Sequence, residues 1–479
     1  MSLHSKQEKM SKEGSPGYTA AIPSDASDVL EGQIVEGQVT HDAVFGDISE
    51  AGPNYRNVGW LGTVALMMKT QIGLGVLSIP ANFDVLGLVP GIIVILVIAA
   101  ITTWSNYMVG VFKILHPSVY SIDDAGGMMF GRVGRIFFGI AFCLYWILVA
   151  GSGMLGISIS LNSVSTHGTC TAVFVAVAAI AGFALSSIRT LGKITWLAWI
   201  GLTGILTSII IVTIAVGIQD RPAAAPQEGP WASDFKIVGD PSFTEAIAAV
   251  SSIIFAYAGT TAFFSIISEM RDPRLYTRSL IVCQTGVTAT YITIGTVVYY
   301  FCGSYVASPA LGSAGVLIKQ ITYGIALPGL LVTTTLVLHL PAKYIFVRIL
   351  GGTRHLVEST PTHWISWFSC TAGITIIAYI IASAIPVFGG LVSLAGALLG
   401  TIMSFQPMGC MWLYDNWTPK DGERNWRWYW MVFFSIFVIV SGTFLTIGGT
   451  YGSIVGIIDS YNESGGSSAW SCADNSNSV

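Results

Sequence analysis

The stretch Trp60-Leu-Gly-Thr-Val-Ala-Leu-Met-Met-Lys-Thr-Gln-Ile-Gly-Leu-Gly-Val-Leu-Ser-Ile-Pro80 decides the fold. It is long and apolar enough to cross a bilayer, yet Lys69 lies well inside it. A cation at that depth is costly, and therefore rare and usually functional. Gly73, Gly75 and Pro80 follow, and all three interrupt helices. A membrane helix broken beside an ionisable group is typical of a transporter binding site, whereas a lysine snorkelling to an interface is the bland alternative.

The composition indicates an all-α integral membrane protein. Of the 479 residues 53% are hydrophobic and 10% are charged, and the mean hydropathy is +0.68. Soluble domains carry about 25% charged residues. Apolar stretches of about 20 residues recur, and each must satisfy its own backbone in lipid as a helix. We predict eleven spans near 58–83, 88–112, 135–160, 171–188, 193–217, 243–268, 279–303, 322–348, 363–385, 387–413 and 428–456.

The placement of lysine and arginine predicts the orientation of these spans. Most of the 22 basic residues lie in the N-terminal tail and in the connections after even-numbered spans. The opposite side holds only Arg221, Lys236 and Lys319. Because positive charge marks the cytoplasmic side, the N-terminus is predicted to be cytoplasmic and the C-terminus extracellular.

Three regions follow from this topology. Residues 1–57, rich in serine, glycine and acidic residues, are predicted to be a disordered cytoplasmic tail. Residues 58–456 are the predicted transmembrane transporter domain, and residues 457–479 are a predicted extracellular tail. Asn462-Glu-Ser464 is a glycosylation sequon on that outer side, although chance matches to so short a pattern are common.

A second interruption is predicted in span 6. Gly259 lies in mid-span, followed by two threonines, and Phe255 and Tyr257 precede it. A small-residue packing face is the simpler interpretation. However, spans 1 and 6 begin two sets of five helices and enter from opposite sides. Two broken helices with this relation are typical of an inverted repeat, with span 11 outside it.

Such a pair of breaks suits a zwitterionic amino acid. A half-helix N-terminus attracts the carboxylate, and the carbonyls at a half-helix C-terminus attract the ammonium group. Aromatic side chains can wall the substrate side chain, although each could equally be plain packing. The candidate substrate-binding residues are Thr70, Gln71, Ile72, Gly73, Leu74, Gly75, Tyr145, Phe255, Ala256, Tyr257 and Gly259.

Several motifs resemble the amino acid/auxin permease family. They are Ile72-Gly-Leu-Gly-Val-Leu-Ser-Ile-Pro80, Leu86-Gly-Leu-Val-Pro-Gly91, Phe130-Gly-Arg-Val-Gly-Arg135 and Ser268-Glu-Met-Arg-Asp-Pro273. The chain looks most like the fungal neutral amino acid permeases of the methyltryptophan-resistance type. The resemblance implies a LeuT-type 5+5 inverted repeat with broken helices 1 and 6 plus an eleventh helix. It also implies proton-driven uptake of neutral aliphatic and aromatic amino acids at the plasma membrane.

The resemblance also bears on the coupling ion. Where sodium-coupled relatives have an asparagine and a threonine that help to hold sodium, this chain has Lys69 and His339. A fixed ammonium repels sodium, and both residues can change protonation when buried. We therefore assign proton coupling to Lys69 and His339 and expect them to share one site, although His339 could be simply packed.

Glu269 closes span 6 beside Arg271, which predicts a structural ion pair and, secondarily, a role in the inner gate. No metal, cofactor or nucleic acid is expected, and the partners are neutral amino acids, protons and the lipid bilayer. No pattern for an enzyme's nucleophile or metal site appears, and a channel does not explain two interrupted helices. An amino acid sensor (transceptor) of the same fold and a vacuolar transporter remain alternatives.

Overall fold

The computed structural model describes residues 40–42, 46–48, 57–188, 191–222, 224–356, 358–385, 387–418, 424–463 and 470–476. Within these ranges the chain is almost entirely helical. The helices are α1 (Trp60–Gln71), α2 (Ile79–Leu86), α3 (Leu88–Leu115), α4 (Ile122–Ser165), α5 (Thr171–Ser186), α6 (Leu191–Ile218), α7 (Phe243–Tyr257), α8 (Thr260–Ser268), α9 (Tyr276–Cys302), α10 (Val316–Leu350), α11 (Pro361–Ala384), α12 (Phe388–Ala395), α13 (Thr401–Ser404), α14 (Gln406–Asn416) and α15 (Trp426–Glu463).

Ten helical stretches of the described chain are long and apolar enough to cross a membrane. Helix α5 stands where the fourth span is expected, but its 16 residues fall short of the ~20 that cross a bilayer upright. The all-α membrane fold is therefore confirmed, and the eleventh crossing stays a prediction. Helix α15 also runs to Glu463, past the predicted end at 456, because its apolar face continues through Ile457 and Ile458.

Spans 1 and 6 are each built from two half-helices. Helices α1 and α2 are separated by a turn and a short 3-10 segment, Gly75–Ser78, and α7 is separated from α8 by Ala258 and Gly259. Helix α7 begins with a capping box, in which Ser242 Oγ accepts from the Glu245 N–H and the Glu245 carboxylate accepts from the Ser242 N–H. Both predicted interruptions are thus present.

The two broken spans form the centre of the helical bundle. The most apolar windows of spans 1 and 6 are 83% and 94% buried, whereas that of α15 is only 17% buried. Helices α4, α6 and α10 pack around the centre, and α15 packs against α7 from outside. A segment that lipid cannot reach can carry irregular backbone at membrane depth, which explains why the breaks occur in these two spans.

Two short strands are described in the N-terminal tail, whose disorder stays a prediction. Thr40–Asp42 and Gly46–Ile48 form an antiparallel pair of strands in which Thr40 lies opposite Ile48. β-Branched residues at paired positions favour an extended backbone, and the short ladder satisfies its polar groups. The rest of the tail up to residue 56 lies outside the described residues.

Candidate substrate and ion site

The first break is held open by two glycines that face neighbouring helices. Helix α1 ends at Gln71, and Ile72 takes an extended conformation at φ −78° and ψ 90°. A Cβ at Gly73 would lie 2.8 Å from Oγ1 of Thr333 on α10, and a Cβ at Gly75 would overlap the backbone of Ala256. Only glycine allows these close approaches, so the break is specified by packing as well as by backbone freedom.

The second break contacts the first directly. Ala258 ends α7 at φ −80° and ψ 41°, and α8 begins at Thr260. A Cβ at Gly259 would lie 3.2 Å from Cβ of Thr70 and 3.3 Å from Cγ of Gln71. The two interrupted stretches are therefore in direct contact.

Two tyrosines hydrogen-bond to the carbonyl groups that the breaks leave free. Tyr145 of α4 donates its hydroxyl to Ala258 O at 2.8 Å. The hydroxyl of Tyr291 on α9 lies 2.9 Å from Gln71 O and 2.8 Å from Ala256 O, one from each break. A phenol has a single proton, so Tyr291 donates to one carbonyl at a time. Sequence analysis singled out Tyr145 but missed Tyr291, which no local motif marks.

Several buried polar side chains at the breaks have no hydrogen-bond partner among the described residues. They belong to Gln71 at the end of α1, Thr260 and Thr261 at the start of α8, and Trp146 beside Tyr145. Each of these residues is at most 1% exposed. Buried polar groups are normally satisfied, so such a cluster indicates a place where a polar ligand supplies the missing partners.

The other predicted substrate-binding residues are buried, except for the half-buried Thr70, and they point in different directions. Leu74 packs toward Gly156 of α4, where an added Cβ would lie 3.3 Å from its Cδ2. Phe255 lies against Gly396, in the π-helical segment Gly396–Gly400. The Tyr257 hydroxyl bonds Thr288 Oγ1 at 3.0 Å, so this ring faces α9 rather than α4.

Lys69 is completely buried between three helices. Its Nζ donates to Ile72 O at 3.3 Å, across the first break. A Cβ added at Gly201 of α6 would lie 3.0 Å from Lys69 Cε and 2.9 Å from Cβ of Val332 on α10. No carboxylate pairs with this ammonium group in the part of the chain that the structure describes. A carbonyl of the interrupted segment is its partner, as it would be for a bound metal cation.

His339 occupies a different part of α10. Its Nδ1 lies 3.4 Å from Ser186 O, and its ring packs edge-on against Trp367 with the centroids 5.2 Å apart. Val332 and Lys69 both lie beside Gly201. His339 follows Val332 by seven residues, which is about 10 Å along a helix. The expected shared site with Lys69 is therefore not formed.

The two side chains are apart because the first break packs at a different position along α10 from the one expected. Helix α10 contains two prolines, Pro328 and Pro341. The first break packs beside Thr333, between these prolines, rather than two residues before the second one. The run Thr333-Thr334-Thr335 was the available sequence signal for this contact. The proton-coupling roles of Lys69 and His339 stay predictions.

The end of α8 that is predicted to be cytoplasmic carries a buried ion pair. Glu269 pairs with Lys343 of α10 rather than with Arg271, whose guanidinium instead donates to Asn57 Oδ1 at 3.1 Å. The expected Arg271 partner is thus corrected, because Arg271 is exposed whereas Lys343 lies inside the bundle. Val58 also bridges to Met270 and tethers the start of α1 to the same place.

A second ionic cluster lies nearby. Arg348 of α10 donates to Asp123 at 2.6 Å and to Asp124 at 2.7 Å.

The helix ends that are predicted to be extracellular carry two further features. Asn462 is exposed in the last turn of α15. Cys170 and Cys472 form a disulfide, which was not predicted from the sequence. The signal was present, because these are the two cysteines outside the apolar segments and both fall on the predicted outer side.

A cavity of about 270 Å³ lies between α2, α7 and α15. It reaches Ser78, three residues beyond Gly75, where Ser252 Oγ bonds both Asn82 Nδ2 at 3.0 Å and Ser78 Oγ at 3.1 Å. The cavity therefore ends three residues beyond Gly75 in the chain, where Ser78, Asn82 and Ser252 form a polar group.

Comparison with known proteins identifies the family. Residues 56–455 match the family described as "Transmembrane amino acid transporter protein". A "Transmembrane transporter" of Gibberella moniliformis is 33% identical over 428 residues, which cover 89% of this chain and 90% of that protein. The "N amino acid transport system protein" of Neurospora crassa is 32% identical over 434 residues, which cover 89% and 91%.

Two solved transporters share the fold. The structure of MhsT in complex with L-phenylalanine matches with a TM-score of 0.56 at 12% identity, covering 81% of this chain and 98% of that one. A sodium-coupled sialic acid symporter matches with a TM-score of 0.50 at 13% identity, covering 85% and 92%. The fold is that of LeuT-type transporters, and the family match confirms the resemblance found in the motifs. The chain belongs to the transmembrane amino acid transporter family.

Proposed function

We propose that this protein is a proton symporter that imports neutral aliphatic and aromatic L-amino acids across the plasma membrane. The observation that carries the proposal is the contact of two broken helices around buried, unpartnered polar groups, with a buried lysine at the first break. In this proposal the chain crosses the membrane eleven times, as two inverted repeats of five helices plus α15.

The breaks offer both poles that a zwitterion needs. The α8 N-terminus, with the free hydroxyls of Thr260 and Thr261, receives the substrate carboxylate. Carbonyl groups of the broken segments, among them Ala256 O and Ala258 O, receive the ammonium group. Tyr145 and Tyr291 hold these carbonyls and so fix the positions of the poles.

The surroundings favour a neutral substrate side chain. Leu74, Tyr145, Trp146 and Phe255 are buried and supply apolar and aromatic surface near the breaks. No described carboxylate pairs with Lys69, so a second, uncompensated charge on the substrate would cost several kcal/mol. This argument disfavours cationic amino acids in particular.

Lys69 is the proposed proton carrier. Its ammonium group donates to Ile72 O and thus stabilises the break as a bound sodium ion would. Release of the proton would remove that tie and loosen α1. His339, about two helical turns further along α10, is the proposed second proton-accepting group on the way toward the cytoplasm.

Glu269 and Lys343 form the proposed inner gate. Their ion pair joins the end of the broken span to α10, so the cytoplasmic side cannot open until it separates. The Val58–Met270 bridge adds a backbone connection at the same level. The outer cavity that reaches Ser78 suits access from outside while this gate is closed.

The orientation is supported by charge and by covalent chemistry. Basic residues concentrate on the predicted cytoplasmic side. The Cys170–Cys472 disulfide requires an oxidising compartment, which agrees with an extracellular C-terminus. Asn462, exposed nearby, is the proposed glycosylation site.

Uptake competition tests the proposal. Cells that express the protein take up a radiolabelled neutral amino acid while neutral, basic and acidic amino acids compete at several pH values. We expect aliphatic and aromatic neutral amino acids to compete, arginine, lysine and glutamate to compete poorly, and uptake to rise at acidic external pH. Strong competition by arginine at low concentration would contradict the substrate class. Substrate binding without uptake would identify a sensor, and surface labelling separates the plasma membrane from the vacuole.

A further inference from the structure

The C-terminal segment 470–476 folds back over the outer ends of the helices. Its Cys472 is joined to Cys170 at the start of α5, 302 residues earlier in the chain. The same segment makes hydrogen bonds on either side of the disulfide. Trp470 N donates to Ser383 O of α11 at 3.1 Å, and Ala473 O accepts from Thr171 Oγ1 at 2.6 Å.

Asn475 enters the protein interior at the outer end of α4. Its Oδ1 accepts from Asn162 Nδ2 at 2.7 Å, and its Nδ2 donates to Ser158 Oγ at 2.9 Å. Asn162 and Ser158 are completely buried. The Asn475 amide thus accepts one hydrogen bond from a buried group and donates another. Without it these buried groups would lose a hydrogen-bond partner, so Asn475 is an integral part of the structure.

The last described residue of the segment reaches a fourth helix. Ser476 O accepts a hydrogen bond from Nζ of Lys319 in the first turn of α10, and Ser476 is only 7% exposed. Asn475 and Ser476 also line a cavity of about 540 Å³ together with Lys319, Tyr323 and the connection between α9 and α10. The segment is therefore part of the outer wall of the protein.

The partners named above lie at the outer ends of α4, α5, α10 and α11. The half-helices α1, α2, α7 and α8, which make up the substrate site, supply none of them. We propose that segment 470–476 is a covalent staple that fixes α4, α5, α10 and α11 as one frame, against which the broken helices move. This inference rests on the proposed transport function and adds to it a positioning role for Cys170, Cys472 and Asn475.

The staple sets the rate of the conformational change and not the affinity for substrate. Conformational steps limit turnover in many proteins of this kind, and they need one group of helices to stay rigid while another moves. The disulfide joins the segment covalently to the start of α5, and its hydrogen bonds join it to α4, α10 and α11. Because the staple contacts the frame and not the breaks, substrate binding itself is unaffected.

The test compares the double variant Cys170→Ser/Cys472→Ser with wild type and with Cys410→Ser. Cys410 is a free cysteine in α14 and gives a matched control for the loss of a thiol. Uptake of a neutral amino acid is measured per molecule at the cell surface. We expect a several-fold lower maximal rate in the double variant and a KM within about twofold of wild type, since only the moving step is impaired. Asn475→Ala should shift the rate in the same direction by less.

Acute reduction separates this role from assembly. A membrane-impermeant reductant applied to folded wild-type protein should lower the maximal rate as the double variant does, and it should leave the double variant unchanged. An unchanged maximal uptake rate per surface molecule in both experiments would contradict the proposed role of the staple. A change in KM alone would contradict it as well.

A second readout does not depend on transport. Hydrogen exchange at the outer ends of α4, α10 and α11 should be faster in the purified double variant than in Cys410→Ser. Equal exchange would overturn the staple even if the protein transports. Failure of wild type to transport any amino acid would count against the proposed function instead, and the exchange comparison would still decide the staple.

Discussion

Buried polar groups have different partners in the middle of the bundle and at its predicted cytoplasmic end. At the predicted cytoplasmic end Glu269 is paired with Lys343, and Arg348 is paired with Asp123. At the breaks Lys69 has one carbonyl partner. Nearby, the side chains of Gln71, Thr260, Thr261 and Trp146 have none within the described chain.

This comparison distinguishes the polar groups that hold the fold together from those that are available to a ligand. Charges that are matched by protein partners hold helices together, and removing one partner leaves the other buried and unpaired. Polar groups that the protein leaves unmatched contribute little to stability and are available to a ligand. Substitutions at the predicted cytoplasmic end should therefore change the stability of the protein, whereas substitutions at the breaks should change transport.

The largest effect on stability is expected from Lys343→Met. It removes the ammonium group that forms a buried ion pair with the Glu269 carboxylate, and the free energy of unfolding should fall by about 3–5 kcal/mol. Thermal unfolding in detergent measures this loss. The double variant Lys343→Met/Glu269→Gln should recover most of it, and Arg271→Met, at an exposed neighbour, should change little. Equal losses for Lys343→Met and Arg271→Met would contradict the pairing.

Lys69→Met should have the opposite pattern. Removing a buried ammonium group that has a single carbonyl partner should leave the free energy of unfolding unchanged or raise it by about 1–2 kcal/mol. Proton-driven accumulation should nevertheless be lost, because the group that carries the proton is gone. The exposed Lys236 gives the control Lys236→Met, which should alter neither quantity. A strongly destabilised Lys69→Met would mean that this lysine is structural.

Thr260→Val tests the unpartnered hydroxyls at the second break. Valine has nearly the same shape as threonine, so packing is kept while a hydrogen-bonding group is removed. Substrate affinity should fall about tenfold, or about 1.4 kcal/mol, while stability stays the same. Direct binding of a radiolabelled neutral amino acid measures the change. Thr203→Val on the exposed face of α6 is the matched control, and an equal response at both positions would remove Thr260 from the site.

These contrasts also show how far the sequence could lead. Glycines, proline and one buried lysine predicted both breaks, because helix interruption is a local property of these residues. The pairing of Glu269 was assigned to Arg271 because neighbours in sequence are visible, whereas Lys343 comes from another helix 74 residues away. His339 was placed beside Lys69 by its distance from Pro341, but α10 has two prolines and the break packs near Thr333. Tyr291 depends on contacts between distant helices, which no local pattern encodes. The disulfide was missed although its two cysteines are the ones outside the apolar segments.

The smallest effect on stability is expected at Asp234, on the surface that is predicted to be extracellular. Asp234 lies in the connection between α6 and α7 and binds the segment that follows α9. Its carboxylate accepts from Ser304 N at 2.8 Å and from Ser304 Oγ at 2.7 Å. Partial burial raises the pKa of Asp234, but these hydrogen bonds outweigh it and hold the pKa below the usual value of 3.8. The stabilisation is therefore present above the unfolded pKa and is lost as the pH falls through the folded pKa.

Asp234→Asn should accordingly cost at most about 0.5–1 kcal/mol at neutral pH, because the site is largely exposed. The difference from wild type should shrink below about pH 4, where the carboxylate of the unfolded chain is protonated. Unfolding curves at pH 7 and pH 3.5 measure both values. A difference that grows toward acidic pH would contradict the assigned direction.

The central claim is that Lys69 couples substrate movement to protons at the first break. The most direct measurement uses wild type and Lys69→Arg in proteoliposomes, with an imposed proton gradient and with or without sodium. Accumulation of a radiolabelled neutral amino acid is followed over time. We predict that wild type accumulates substrate without sodium, and that Lys69→Arg binds substrate but barely turns over, because arginine does not release its proton. A sodium requirement in wild type, or accumulation by Lys69→Arg at the wild-type rate, would contradict the account.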